Sequence, residues 1–163
     1  MKYRVAIITV SDKGSRGERE DKSAPAIEVA LDDAFEVTSK IIVPDEIDII
    51  SQKLKQLIDE ENIDLVITTG GTGVSTRDVT PDATKLVIEK ELPGFSEIMR
   101  SESYKITPHG IISRGICGIR GNSIIINLPG SPKAASECLS FVIRAIPHAL
   151  SKLQGNATDC ATA

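Results

Sequence analysis

Three short, nearly uninterrupted apolar runs rich in β-branched residues constrain the architecture most. They are Val5 to Val10 (VAIITV), Asp64 to Thr68 (DLVIT) and the Ile124-Ile125-Ile126 core of Ser123 to Asn127. A strand wetted on one side alternates apolar with polar residues. These runs do not alternate, so each predicts a strand covered on both faces. A further strand reads over Val37 to Val43. Between the strands the period changes. Ala24, Ile27, Leu31 and Ala34 share one helical face after a Ser23 cap. Ile47, Ile50, Leu54, Leu57 and Ile58 share another, in a helix running to about Glu61. Ala83, Leu86, Val87 and Lys90 mark a third helix, which Pro93-Gly94 interrupts. Phe95, Ile98 and Met99 suggest a short helix ending near Ser103, and Ile106 to Ser113 reads as a loop. Arg114 to Ile119 and Ser123 to Asn127 flank Arg120-Gly121-Asn122 as a β-hairpin. Ser131 and Pro132 open a last helix bearing Ala135, Cys138, Leu139, Val142 and Ile146, which Pro147 must kink or restart.

Strands alternating with helices define an α/β fold: three layers, α/β/α, with a mostly parallel sheet and an antiparallel hairpin strand. Right-handed crossovers place the first three strands in the order 2-1-3. One domain is expected over residues 1–155, with 156–163 as a frayed, small and polar tail. Ligands of such sheets bind beyond the carboxyl ends of the strands. The loops leaving those ends are Ser11-Asp12, Pro44-Asp45, the stretch Thr68 to Ala83 (TTGGTGVSTRDVTPDA) and Pro129-Gly130-Ser131-Pro132. Gly70, Gly71 and Gly73 let main-chain N–H groups approach an anion. Thr80 is read as an N-cap, with Pro81 at the first helical position. Asp12, Asp45 and Asp78 bring three acids to the same rim, where two carboxylates together with substrate phosphates suit Mg²⁺. Asp82, in the first turn of its helix, reads as a capping charge.

Several chemistries lack their parts. No Gly-Lys-Ser/Thr follows the glycine loop, so it is not a P-loop, and neither a dinucleotide fingerprint nor a GxSxG elbow is present. The net charge is -4, without a basic, aromatic-interleaved stripe, which excludes a nucleic-acid surface. Nothing reaches transmembrane length or forms a signal peptide, so the chain is read as cytoplasmic and not membrane-bound. Cys117, Cys138 and Cys160 form no CxxC pair and support neither a disulfide framework nor a zinc site. Cys138 and Arg144 have phosphatase spacing, but the intervening LSFVI has no glycine and reads as a buried helical face.

Four stretches, TVSDKGSRGEREDKS, VPDE, TTGGTGVSTRDVTPDAT and NLPGSPKA, occur in order. Together they resemble the molybdopterin adenylyltransferase family of molybdenum cofactor biosynthesis, which is similar to the G domain of gephyrin. The resemblance runs from about Tyr3 to about Leu153. It implies transfer of AMP from ATP, as co-substrate, to the terminal phosphate of molybdopterin, with Mg²⁺. It carries catalytic or metal-binding roles onto Asp45 and Asp78. It carries substrate binding onto Thr69, Gly70, Gly71, Thr72 and Gly73, and onto Pro129, Gly130 and Ser131. Ser11 and Asp12 lie on the same rim. Ala24 stands where the family often has glycine, with a local effect expected. The resemblance further implies a homotrimer and a transient contact with a molybdate-insertion protein. The alternative reading is a non-catalytic molybdopterin-binding or scaffold domain of the same fold.

Overall fold

A computed structural model describes residues 1–155, so the tail expected over 156–163, with Cys160, lies outside the described residues. The strands are β1 (Tyr3–Val10), β2 (Phe35–Val43), β3 (Leu65–Thr69), β4 (Lys90–Glu91), β5 (Cys117–Arg120) and β6 (Ser123–Leu128). They form one six-stranded sheet in the order β2-β1-β3-β6-β5-β4. β1, β2, β3 and β6 are parallel, while β5 pairs antiparallel with both β6 and β4. The 2-1-3 order of the first three strands is as the crossover rule requires.

The helices are α1 (Asp12–Ser15), α2 (Ser23–Ala30), α3 (Ile47–Lys55), α4 (Thr80–Lys85), α5 (Pro93–Ile106), α6 (Pro132–Val142) and α7 (Ile146–Leu153). Alternate residues of each central strand point to opposite faces. Val5, Ile7, Leu65, Ile67, Ile124 and Ile126 meet α2, α5, α6 and α7 on one side. Ala6, Ile8, Val66 and Ile125 meet α3 and α4 on the other. Both cores are aliphatic and fully excluded from water at these positions. Hydrophobic burial on both faces is what fixes the three layers.

The structure revises several elements. β2 begins at Phe35, two residues early, because Phe35 is buried and packs beside Tyr3. The pairing slips between Val5 and Ala6, leaving Thr38 as an extra residue whose hydroxyl donates to Val5 O at 3.2 Å. α2 stops at Ala30, so Leu31 and Ala34 pack on the core from outside the helix. Ser23 is not its cap: the Asp21 carboxylate accepts from the Ser23 and Ala24 N–H groups at 2.9 and 3.2 Å. The helix after Thr80 is shorter than its periodicity suggests, since Leu86 is 66% exposed and Lys90 belongs to a strand. Pro93 does not interrupt a helix but starts α5, which runs to Ile106. Residues Pro108–Ile112 form a 3₁₀ turn. Pro147 restarts the helical path as α7 after a 3₁₀ turn over Ile143–Ala145.

Both described ends of the chain are tied to the amino edge of the sheet. Arg4 N–H and the Gln154 side-chain amide donate to the two oxygens of Asp64, each at 2.7 Å. The Tyr3 hydroxyl donates to Pro147 O at 3.2 Å.

Candidate functional site

The loops leaving β1, β2, β3 and β6 meet at the opposite, carboxyl edge. Ser11 N–H donates to Val43 O at 2.9 Å, joining the first two. Gly70 N–H donates to Leu128 O at 3.1 Å and the Thr69 hydroxyl to Pro129 O at 2.7 Å, joining the other two. Gly70 lies against Gly130, whose carbonyl accepts from the Ser23 hydroxyl at 2.7 Å. Gly71 has φ +65° and would drive a Cβ into the Thr80 hydroxyl. Thr80 therefore does something other than cap. Val79 occupies the N-cap position, and the buried Thr80 hydroxyl donates to Gly70 O at 2.8 Å, pinning the glycine loop. Gly73 lies under the Asp78 carboxylate, where a Cβ would come within 2.8 Å of Oδ2.

The acids are arranged unequally. Asp12 N–H donates to Asp45 Oδ2 at 2.8 Å, and Asp45 N–H donates to Asp12 Oδ1 at 3.0 Å. Arg77 forks onto both Asp12 oxygens at 3.0 Å and onto Glu46 at 2.8 Å. One guanidinium thus ties the glycine loop to the exits of β1 and β2. Hydrogen bonding from Arg77 holds the Asp12 carboxyl below its ordinary pKa. Asp12 is therefore engaged by the protein itself. Asp45 behaves oppositely: burial raises its pKa against the Asp12 N–H bond, and the nearby charges of Asp12 and Asp78 push the same way. Asp78 Oδ2 accepts from Ser75 N–H at 2.9 Å.

Two cavities open from this rim. The more polar one, of about 750 Å³, is lined by Ser11, Asp45, Thr69, Gly70, Gly71, Gly130 and Ser131. The more apolar one, of about 520 Å³, takes Thr72, Gly73 and Pro129 together with Met99, His109 and Cys138. Asp78 borders both. Of the residues given catalytic, metal or substrate roles or placed beside them on the rim by the resemblance, only Asp12 lines neither; it bonds to Asp45 through its N–H. Ser131 caps α6, accepting from Ala134 N–H at 3.2 Å, so the start of that helix faces the polar cavity. Among the described residues no group of three or more His, Cys, Asp or Glu side chains is arranged to hold a metal. Cys138 lies in α6 with its thiol pushed up by burial, not in a phosphate cradle.

The charged run after Ser11 proves to be part of the wall. Its start folds into the one-turn α1, and Arg19, Asp21 and Lys22 line the polar cavity. Asp21 also accepts from the Thr9 hydroxyl at 2.6 Å. Its position two residues before a Ser-Ala-Pro helix start is a capping signal visible in the sequence. Arg114, whose guanidinium donates to Gly73 O at 3.0 Å and to Asp78 O at 2.6 Å, carried no such signal.

A doubly wound sheet with a glycine loop, a capped helix start and two carboxylates gathered at its carboxyl rim has the layout in which open α/β domains bind their ligands. The family model described as a probable molybdopterin binding domain matches residues 6–148. The chain belongs to that family. It is 46% identical over 155 residues to the molybdopterin adenylyltransferase of Helicobacter pylori, spanning 93% of this chain and 88% of that one. It is 44% identical over 146 residues to the molybdenum cofactor synthesis protein cinnamon of Drosophila melanogaster, covering 88% of this chain and 24% of that protein. The molybdopterin biosynthesis enzyme MoaB of Thermus thermophilus has the same fold, with a TM-score of 0.89 and 47% identity over 94% of this chain and 98% of that one. These similarities agree with the family read from the four motifs and with the fold read from the alternation of strands and helices.

Proposed function

We propose that the protein is a molybdopterin adenylyltransferase. The terminal phosphate oxygen of molybdopterin attacks the α-phosphorus of ATP, the bond to the β-phosphate oxygen breaks, and pyrophosphate leaves with the electron pair. The observation that carries this reading is the position of Asp78, on the border between a polar cavity suited to phosphates and an apolar one suited to a ring system. The nucleophile is already an anion, so positioning and charge stabilisation suffice without a strong base. Main-chain N–H groups of the loop at Gly71 and Gly73, and the start of α6 at Ser131, supply anion contacts. Asp45 and Asp78 offer hard carboxylate oxygens on one cavity wall, which fits Mg²⁺ completed by substrate phosphates. Bound there, Mg²⁺ would neutralise charge on the reacting phosphates.

In this reading the enzyme is a homotrimer. Tyr104, Ile106, Ile111 and Ile112, each exposed around the end of α5 and the turn after it, supply apolar surface for subunit contact. ATP as co-substrate implies a cytoplasmic reaction, and the adenylylated product passes to a molybdate-insertion protein. The test is a turnover assay with molybdopterin, ATP and Mg²⁺, following pyrophosphate and adenylylated molybdopterin. Tight molybdopterin binding without either product would favour a scaffold role and overturn the enzyme reading.

A further inference from the structure

The turn that carries Asp78 has little of its own to hold it. Val74 is 73% exposed, and the turn's internal ties are Ser75 N–H to the Asp78 carboxylate and Asp78 N–H to Ser75 O at 3.0 Å. From outside it is held on one side by Asp12 and Glu46, through Arg77, and on the other by Arg114, in the connection between α5 and β5. The Arg114 main-chain N–H donates to Thr72 O at 2.8 Å. Its guanidinium Nε donates to Gly73 O at 3.0 Å, and one terminal nitrogen to Asp78 O at 2.6 Å. The same fork binds both Asp82 oxygens, at 3.2 and 2.8 Å. One residue therefore grips the turn at its entry, at its exit and at the first turn of α4. It is braced in turn: the Arg100 guanidinium on α5 donates to Gly115 O at 2.8 Å.

We propose that Arg114 is a positioning residue, holding the Gly73–Asp78 turn so that the Asp78 carboxylate stays on the wall between the two cavities. The assignment rests on the adenylyltransferase reading above for its catalytic consequence, but not for the clamp itself. Arginine is required because five N–H donors in a planar fork serve two carbonyls and a carboxylate at once, where the point donor of lysine cannot. The exposed ion pair with Asp82 alone contributes little; the carbonyl bonds give the residue its role.

The test uses Arg114→Ala and Arg114→Lys in the full chain, alone and combined with Asp78→Asn. Arg114→Ala is expected to lower kcat by about 10²-fold, the scale of a misplaced reacting group. Arg114→Lys is expected to lower it by about 10-fold, with KM for ATP and molybdopterin each changed less than about 3-fold. Because Arg114 acts through Asp78, adding Arg114→Ala to Asp78→Asn should lower kcat by no more than about 2-fold further. Full multiplication of the two losses, or normal kcat in Arg114→Lys, overturns the proposal. Amide hydrogen exchange gives a readout independent of turnover. Ser75 and Asp78 should exchange faster in both Arg114 variants while β3 and β6 amides stay protected; unchanged exchange at Ser75 and Asp78 overturns the clamp. Should the wild-type protein show no turnover, the adenylyltransferase reading fails and exchange still decides the clamp. Should Arg114→Ala not fold, Arg114→Lys carries both measurements.

Discussion

Asp12 and Asp45 each donate a main-chain N–H to the other's carboxylate, at 2.8 and 3.0 Å. The exits of β1 and β2 are thereby locked face to face, and the Asp45 side chain cannot shift without disturbing the end of β1. Arg77 takes up the rest of the Asp12 carboxylate. Asp12 is thus the pivot on which Asp45 is aimed at the polar cavity.

Asp12→Ala should therefore impair chemistry through Asp45. It strips the Asp45 N–H and the Arg77 fork of their acceptor, and turnover should fall by up to about 10²-fold. Steady-state kinetics checks this; unchanged turnover would show that Asp45 is held by other means.

Asp45→Asn and Asp78→Asn preserve volume and remove charge. Each should lower turnover by about 10²–10³-fold, the scale for losing one charge-stabilising group in a preorganised site. Molybdopterin affinity, read by titration, should change far less. Near-normal turnover in both variants would reduce these acids to loop and helix-end residues.

The raised Asp45 pKa has a definite sign for stability. Its folded value lies above the ordinary 3.8 because burial disfavours the charge. Its contribution is therefore complete below 3.8 and is lost as pH rises through the folded value. Asp45→Asn keeps an acceptor for Asp12 N–H and removes that loss. Urea midpoints should show the variant gaining stability relative to wild type as pH rises from 3.8, even as it loses turnover. Asp12, Asp82 and Asp59, which takes the Arg120 guanidinium at 2.9 and 2.7 Å, have the opposite sign, since arginine partners hold them low. What they contribute is present above 3.8 and is lost as pH falls through their folded values.

Two glycines separate backbone strain from crowding. Gly121, at the hairpin turn, has φ +54° and open space where a Cβ would go. Alanine there should cost about 1 kcal/mol. Gly71 has φ +65° with the Thr80 hydroxyl and Asp45 against it. Gly71→Ala should cost about 1–3 kcal/mol more than Gly121→Ala, the usual scale of overpacking. Denaturant midpoints of the two variants give the comparison, and equal losses would mean that the loop beside Asp45 yields freely.

The central strands were legible because burial on both faces leaves a continuous apolar run, as in Val5 to Val10. β4 was not, because Lys90 and Glu91 are exposed and pair only along the sheet edge. Thr80 was misread because Thr-Pro-Asp satisfies the local rule for a helix start. Its hydroxyl serves a carbonyl ten residues back, a choice made by the fold. Asp45 and Asp78 were legible as rim acids, since each follows directly from a strand exit or its loop. Arg114 was invisible. Its partners are main-chain oxygens at Gly73 and Asp78, and carbonyls carry no residue identity for a sequence to display.

Asp64 accepts from residues near both ends of the described chain, on the edge of the sheet remote from the cleft. A tether at the amino-terminal end therefore starts from the edge remote from the mouth of the cleft. A protein anchored to a solid support through Met1, or joined there to another module, should bind its ligands as the free one does. The same layout lets another module be joined ahead of Met1 with the chemistry of the cleft still facing outward.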